Sequence, residues 1–268
     1  MALDGKTGKP AVEELTSLRI SDAYRTSFKH WQKALGDVPH LRTQKVKLES
    51  RLLVGHGNVA PTDVGITLHH TWGVPVIPGS ALKGLLSNYM DATYGPAGPR
   101  CHPDNPQQDA EQKIRSLYQG VTRDEQQQVL FPPGAVYRQL FGAPETAATG
   151  GFPASAAMQG NLVFHDALYV PATTPADCPF APDVLTIHQK PYYDGQGKTE
   201  PTDYHDPVPV EFLTVRPGAE FLVALSASGS AIASLDLCMQ LLSDALSEWG
   251  VGGKTSLGYG RLALCNGM

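Results

Sequence analysis

No regular element can run through residues 250–258, because GVGGKTSLG carries four glycines in nine positions, Gly250, Gly252, Gly253 and Gly258. Each glycine inside a helix or strand costs about 0.5–1 kcal/mol relative to alanine. What lies on either side is regular. Leu235, Cys238, Leu242, Leu246 and Trp249 recur at helical spacing, and Gly250 stops that helix. Downstream, YGRLAL (259–264) reads as a last strand. Upstream, VPVEFLTV (208–215) and AEFLVALSA (219–227) flank Arg216-Pro217-Gly218, which predicts an antiparallel hairpin. The C-terminal third is therefore strand, strand, helix, glycine loop, strand, a layered α+β arrangement of the ferredoxin-like kind.

The same reasoning extends toward the N-terminus. Residues 1–16 read as a mobile arm, and Ile20, Tyr24, Phe28, Trp31 and Leu35 then paint one apolar helix face that Pro39 terminates. KVKLESRLLV (45–54) predicts a strand, residues 55–78 a structured loop or short strands, and Leu82, Leu85, Leu86 and Tyr89 the buried stripe of a helix starting near Ser80. Residues 95–134 read as an insertion, partly helical between Asp109 and Leu130 and mobile at its start, and Ala135–Phe141 as a further short helix. NLVFHDALYV (161–170) alternates like a strand or tight hairpin, and 171–207 is rich in loops. The domain reading is an arm and amphipathic helix over 1–44, followed by one elaborated domain over 45–268.

Composition narrows function. With 21 Lys+Arg against 26 Asp+Glu, a net charge of -5, gripping nucleic acid by bulk charge is excluded. No apolar run approaches the roughly 18 residues that span a bilayer. The first residues lack the apolar core of a signal peptide, so a cytoplasmic location is expected. The four cysteines, Cys101, Cys178, Cys238 and Cys265, form no CxxC pair and read as isolated thiols in a reducing compartment.

Gly253-Lys254-Thr255 invites comparison with a nucleotide-binding P-loop. That motif requires glycine at position 248, which is Glu, and a strand before the loop with a helix after it, the reverse of the order here. A glycine-rich turn can still expose backbone N–H groups that form an anion-binding concavity. Lys254 and Arg261 add charge, Thr255 and Ser256 add hydroxyl donors, and Tyr259 offers a stacking face. A second anion site is suggested at Pro78-Gly79-Ser80-Ala81-Leu82-Lys83-Gly84. There Ser80 can cap a helix, and Lys83 sits in a first turn whose dipole favours an anion.

Ile77-Pro78-Gly79-Ser80-Ala81-Leu82-Lys83-Gly84 resembles the "IPGSSLKG" signature of the RAMP superfamily, the RNA-binding repeat proteins of CRISPR systems, with Ala81 replacing the second Ser. Gly250 to Arg261 resembles that superfamily's C-terminal glycine loop, and Phe164-His165-Asp166-Ala167 is similar to its "F-x-D-A" strand. Arg51-Leu52-Leu53-Val54-Gly55-His56-Gly57-Asn58, Gly65 to His69, Asp183 to His188 with Tyr192-Tyr193, and Pro207 to Leu213 resemble the Cmr-type (type III-B) branch, whose member caps the effector backbone near the guide RNA's 3′ end.

The resemblance implies a modified ferredoxin-like (RRM-like) domain that binds guide RNA, packs against neighbouring RAMP subunits, meets target RNA only indirectly, and is neither an enzyme nor cofactor-dependent. Ser80 and Lys83 at the helix start, Gly252, Gly253, Lys254, Thr255, Ser256, Tyr259 and Arg261 in the loop, and Arg51, His56 and Asn58 beside it are the expected RNA contacts.

Other readings compete. His56, His69, His70, His165, His188 and His205 could serve a metal-independent RNase that processes guide RNA or cleaves target RNA, although no pair stands in a recognisable acid–base motif. Asp63, Asp183 and Asp203 are candidates for metal-assisted cleavage, and Asp183, His188, Asp203 and His205 for a metal site of no known spacing. Arg42, Lys45, Lys47 and Arg51 form a basic stripe, either an RNA contact or a solvated strand edge. The apolar face of residues 20–35 either docks a partner or packs on its own domain.

Overall fold

The computed structural model describes residues 8–57, 65–98, 100, 107–146, 154–174, 177–187, 192, 194, 195, 197, 198, 200 and 208–265. Its centre is an antiparallel sheet of strands β1 (Leu41–Leu48), β2 (Val76–Ile77), β7 (Leu162–Phe164), β8 (Ala167–Val170), β11 (Glu220–Ala227) and β12 (Leu262–Leu264), with spatial order β12-β1-β11-β8-β2 and β7 also on β11. Helices α3 (Gly79–Tyr94) and α6 (Leu235–Glu248) pack together and place Leu82, Leu86, Met90, Cys238, Leu242 and Leu246 in the main core. Tyr89 meets Trp249 edge-on at 5.2 Å and donates from its hydroxyl to Glu248 at 3.0 Å. Content is α+β, as expected.

The C-terminal hairpin is not formed. Strand β10 (Val208–Val215) pairs along its whole length with β9 (Phe180–Ile187), in a separate two-stranded ribbon. The reason lies in β11, buried from Phe221 to Ala227. A strand so covered needs neighbours on both edges, and it has β1 on one (Leu41↔Ser226 to Lys47↔Glu220) and β7 with β8 on the other. No edge is left for β10. Arg216-Pro217-Gly218 instead carries the chain between sheets, with Gly218 at φ 85 donating to the Leu48 carbonyl at 2.7 Å. Strand β9 itself falls in a region expected to be loop. Its Pro182 and Asp183 are depleted in strands, yet a two-stranded ribbon has edges that tolerate them.

Residues 161–170 are likewise no hairpin. Strands β7 and β8 lie in series on β11, with Phe164↔Leu225 and Leu168↔Leu222, so three residues oppose two and a bulge falls at His165–Asp166. The insertion is partly helical, as expected, through α4 (Ala110–Ser116), started by a capping box between Asp109 and Gln112. A short hairpin of β3 (Thr122–Arg123) and β4 (Val129–Phe131) follows, its turn tied by the Asp124 carboxylate to the Gln128 N–H at 2.8 Å. Asp91 of α3 holds Arg100 through two bonds of 2.5 and 2.7 Å and accepts the Gly120 N–H at 2.9 Å. Helix α5 (Ala135–Phe141) forms as predicted, followed by a ribbon of β5 (Gly142–Ala143) and β6 (Met158–Gln159).

Of the expected N-terminal arm, residues 8–17 form a helix, and residues 1–7 lie outside the described residues. Helix α1 (Gly8–Ser17) buries Val12 against Cys178, Phe180 and Leu213 of the β9–β10 side. Helix α2 (Asp22–Gly36) is capped by Ser21, whose hydroxyl accepts from the Tyr24 N–H at 3.2 Å, and it turns Tyr24, Phe28 and Leu35 into the main core. The Tyr24 hydroxyl donates to the Tyr169 carbonyl at 2.5 Å. Beside it, the fully buried Asp177 carboxylate accepts the Tyr169 hydroxyl and the Ala172 N–H (2.8 Å), with Arg25 at 3.6 Å. Burial first, then the Asp177 bond, pushes the Tyr169 phenol well above its ordinary pKa, so it stays a donor. The apolar face of α2 is thus spent on its own domain, and the boundary expected at residue 44 falls inside β1.

Candidate nucleic-acid interface

The glycine loop is zipped onto residues 51–53. Gly260 donates to the Arg51 carbonyl (2.7 Å), Gly253 to the Leu53 carbonyl (2.7 Å), and Val251 to Gly260 (2.9 Å). Two positions admit only glycine. A Cβ on Gly252 would lie 2.4 Å from the Leu53 carbonyl oxygen, and one on Gly260 would lie 2.0 Å from that of Val251; their φ angles are 92° and 72°. Gly250 (φ 77) ends α6 and returns its N–H to Ala245 at 3.1 Å. One expectation changes here. The Gly253 N–H, read as a phosphate donor, is consumed by Leu53, and Lys254 rather than Gly253 takes the left-handed conformation (φ 60, ψ 28).

Beyond Lys254 the chain makes a single 3-10 turn, Thr255–Leu257. Among the described residues, nothing accepts from the N–H groups or hydroxyls of Thr255 and Ser256. The Lys254 ammonium has no carboxylate partner among them either. It rests over aromatic rings, 4.8 Å from the Phe212 centroid and 5.8 Å from that of Tyr259.

Behind these rings runs a polar chain. The Tyr259 hydroxyl donates to Asp183, whose carboxylate faces the Arg51 guanidinium at 3.4 Å. Arg51 also donates to the Pro182 carbonyl at 2.6 Å and the Thr214 hydroxyl at 3.4 Å. Burial foremost, then the bond to Asp183, pushes the Tyr259 phenol up to about 12. Because its folded pKa is raised, the stabilisation that this phenol contributes is complete below its ordinary pKa and is lost as pH rises through 12.

Arg51, expected at RNA, is thereby committed to clamping the β9–β10 ribbon. Arg261 supports the loop: its N–H donates to the Ser50 hydroxyl and its guanidinium to the Ser247 carbonyl near the end of α6, both at 3.1 Å. His56 is exposed beside Gly253, and Asn58 lies outside the described residues. Sequence reasoning missed Phe212. It reads as one apolar strand position among several, and its partner Lys254 is set by the pairing of β10 with β9.

The second expected anion site differs from its prediction. Pro78, not Ser80, precedes α3, and Ser80 makes no capping bond. The Gly79 N–H is claimed by the Asp166 carboxylate at 2.7 Å, which the β7–β8 bulge delivers. An anion already sits at this helix start, supplied by the protein. Lys83 is exposed and lines a 330 Å³ cleft with Ser87, Tyr137 and Phe141, so the structure does not unite it with the glycine loop.

Of the basic stripe, Lys47 lies where β1 is paired on both sides, whereas Arg42 lies where β11 alone pairs it. Arg42 pairs with Asp236, and Lys45 with Glu220 at 3.7 Å. Among the histidines, His165 meets the Ser226 hydroxyl at 3.0 Å, its pKa lowered by burial, and His69 accepts the Thr71 N–H at 3.2 Å. His188, His205, Asp63 and Asp203 lie outside the described residues. Among those described, no three His, Cys, Asp or Glu side chains are grouped to hold a metal ion, and no helix is long and apolar enough to cross a membrane.

An antiparallel sheet backed by two helices, with a glycine loop zipped between the second helix and the last strand, agrees with a family-level match: the RAMP superfamily model covers residues 45–263. The chain belongs to the RAMP superfamily. Within it, the chain is 29% identical over 260 residues to the CRISPR system Cmr subunit Cmr6 of Pyrococcus furiosus, covering 90% of this chain and 73% of that protein. It shares its fold with a chain of the type III-B Cmr-beta complex bound to cognate target RNA, at a TM-score of 0.58 and 18% identity over 99% of this chain and 78% of that one. The crystal structure of Pyrococcus furiosus Cmr6 matches at a TM-score of 0.43 and 28% identity, over 84% of this chain and 98% of the other. The 29% identity to Cmr6 over most of the chain bears out the Cmr-type resemblance read from the sequence.

Proposed function

We propose that this chain is a non-catalytic, cytoplasmic RNA-binding subunit of a type III-B CRISPR effector, holding the guide RNA backbone toward its 3′ region and packing against neighbouring RAMP subunits. Target RNA is met indirectly, through the guide. The likeness to Cmr6 supports the assignment to such a complex. The strand order β12-β1-β11-β8, with α3 and α6 as the connecting helices, supports reading the domain as a modified ferredoxin-like (RRM-like) fold.

The observation that carries the RNA-binding reading is the tip of the glycine loop. Among the described residues, a lysine without a carboxylate partner stands next to two unclaimed N–H groups and two unclaimed hydroxyls, the donor set that a backbone phosphate requires. A net charge of -5 adds no general attraction, so the isolated chain binds RNA weakly and with a steep salt dependence.

Lys254→Glu tests this reading. Lys254 is partly exposed and makes no ion pair within the described fold, so the variant is expected to stay folded, losing about 1 kcal/mol from its contacts with the Phe212 and Tyr259 rings. It is expected to lose RNA about tenfold at low salt, with a salt slope reduced by about one unit. Unchanged RNA content and normal assembly in that variant contradict the loop's role.

A further inference from the structure

Lysine rarely adopts a left-handed backbone, a strained conformation that persists only where the surroundings impose it. Lys254 does so at the hinge of the glycine loop. Its ammonium is not free to wander, because it lies over Phe212, a fully buried ring of β10, and within reach of Tyr259. Tyr259 is fixed in turn by its hydroxyl on Asp183, a carboxylate that also accepts the Val184 N–H at 2.8 Å and faces Arg51. Leu53 and Phe212 form a small core of their own with Leu185, Val210 and Tyr259, gluing the loop to the β9–β10 ribbon.

We propose that Phe212 and Tyr259, with Asp183 and Arg51 behind them, are positioning residues that hold the Lys254 ammonium ready for an RNA phosphate. This rests on the functional reading above. A long side chain normally loses rotamer freedom when it binds. Here the rings and the left-handed turn have already restricted it. A cation over an aromatic face keeps N–H donors directed away from the ring, so phosphate binding does not require Lys254 to leave its seat. The β9–β10 ribbon, not the glycine loop alone, then sets the strength of the RNA contact.

The experiment is a double-mutant cycle on the full chain, read by the binding of a fluorescently labelled single-stranded RNA at low salt. Tyr259→Leu removes one ring and the Asp183 bond, Tyr259→Phe removes only the bond, and Phe212→Leu removes the other ring. Each is made alone and together with Lys254→Ala, and thermal melting confirms that each is folded. Tyr259→Leu and Phe212→Leu are expected to weaken RNA binding about fivefold with Lys254 present, and to have almost no further effect in the Lys254→Ala background. Tyr259→Phe retains the ring and the fold and is expected to fall between.

Equal weakening with and without Lys254 overturns the positioning role, since it means that the rings act on the fold or on RNA directly. Unchanged binding by all three single variants overturns it as well. A wild-type chain that binds no RNA at low salt overturns the functional reading itself, and the positioning role with it.

Discussion

Gly260→Ala is expected to destabilise the domain by about 3 kcal/mol, the sum of a left-handed backbone imposed on alanine and a direct backbone collision. The added methyl would sit 2.0 Å from the Val251 carbonyl oxygen, an acceptor that cannot rotate away because Val251 and Gly260 are themselves hydrogen-bonded at 2.9 Å. Relief requires opening the loop, which also breaks the Gly260 bond to Arg51. Gly258→Ala is the matched control. It has a similar φ of 87°, but an added Cβ meets nothing within 4 Å, so only the conformational cost of about 1 kcal/mol remains. Urea denaturation of the two variants measures both, and equal midpoints would show that the loop yields freely.

The second large effect is at Asp177. Its carboxylate is fully buried and satisfies the Tyr169 hydroxyl and the Ala172 N–H, with Arg25 of α2 close by. Asp177→Ala removes the acceptor from buried donors and from a cation whose side chain is only 20% exposed. The expected loss is about 3 kcal/mol, with release of α2 and increased hydrogen exchange across Asp22–Gly36. Asp236→Ala, which breaks the solvent-exposed pair with Arg42, is expected to leave the melting temperature unchanged. If Asp177→Ala is as mild as Asp236→Ala, α2 is held by its apolar face alone.

Features decided by local chemistry were legible in the sequence. Helices α2, α3 and α6 follow from apolar spacing, and the end of α6 at Gly250 follows from glycine's access to positive φ. The glycine loop and the helix after Pro78 carried the family resemblance. What the sequence hid is non-local. Alternation in 208–215 and 219–227 identifies two strands but not their partners, and only the burial of β11 on both edges explains why they separate. Asp166 is one acid among many until a bulge carries it to the Gly79 N–H. The seat of Lys254 on Phe212 joins residues 42 positions apart in sequence. The short α1 and β9 were masked by Pro10 and Pro182, residues that ordinarily argue against regular structure.

The most direct measurement is affinity purification of the tagged chain from cells that express its locus, at moderate salt, with copurifying proteins identified and copurifying RNA sequenced. The account predicts other RAMP subunits together with short RNAs that share a repeat-derived end, and depletion of those RNAs when Lys254→Glu is the bait. A chain recovered alone and free of RNA would contradict it.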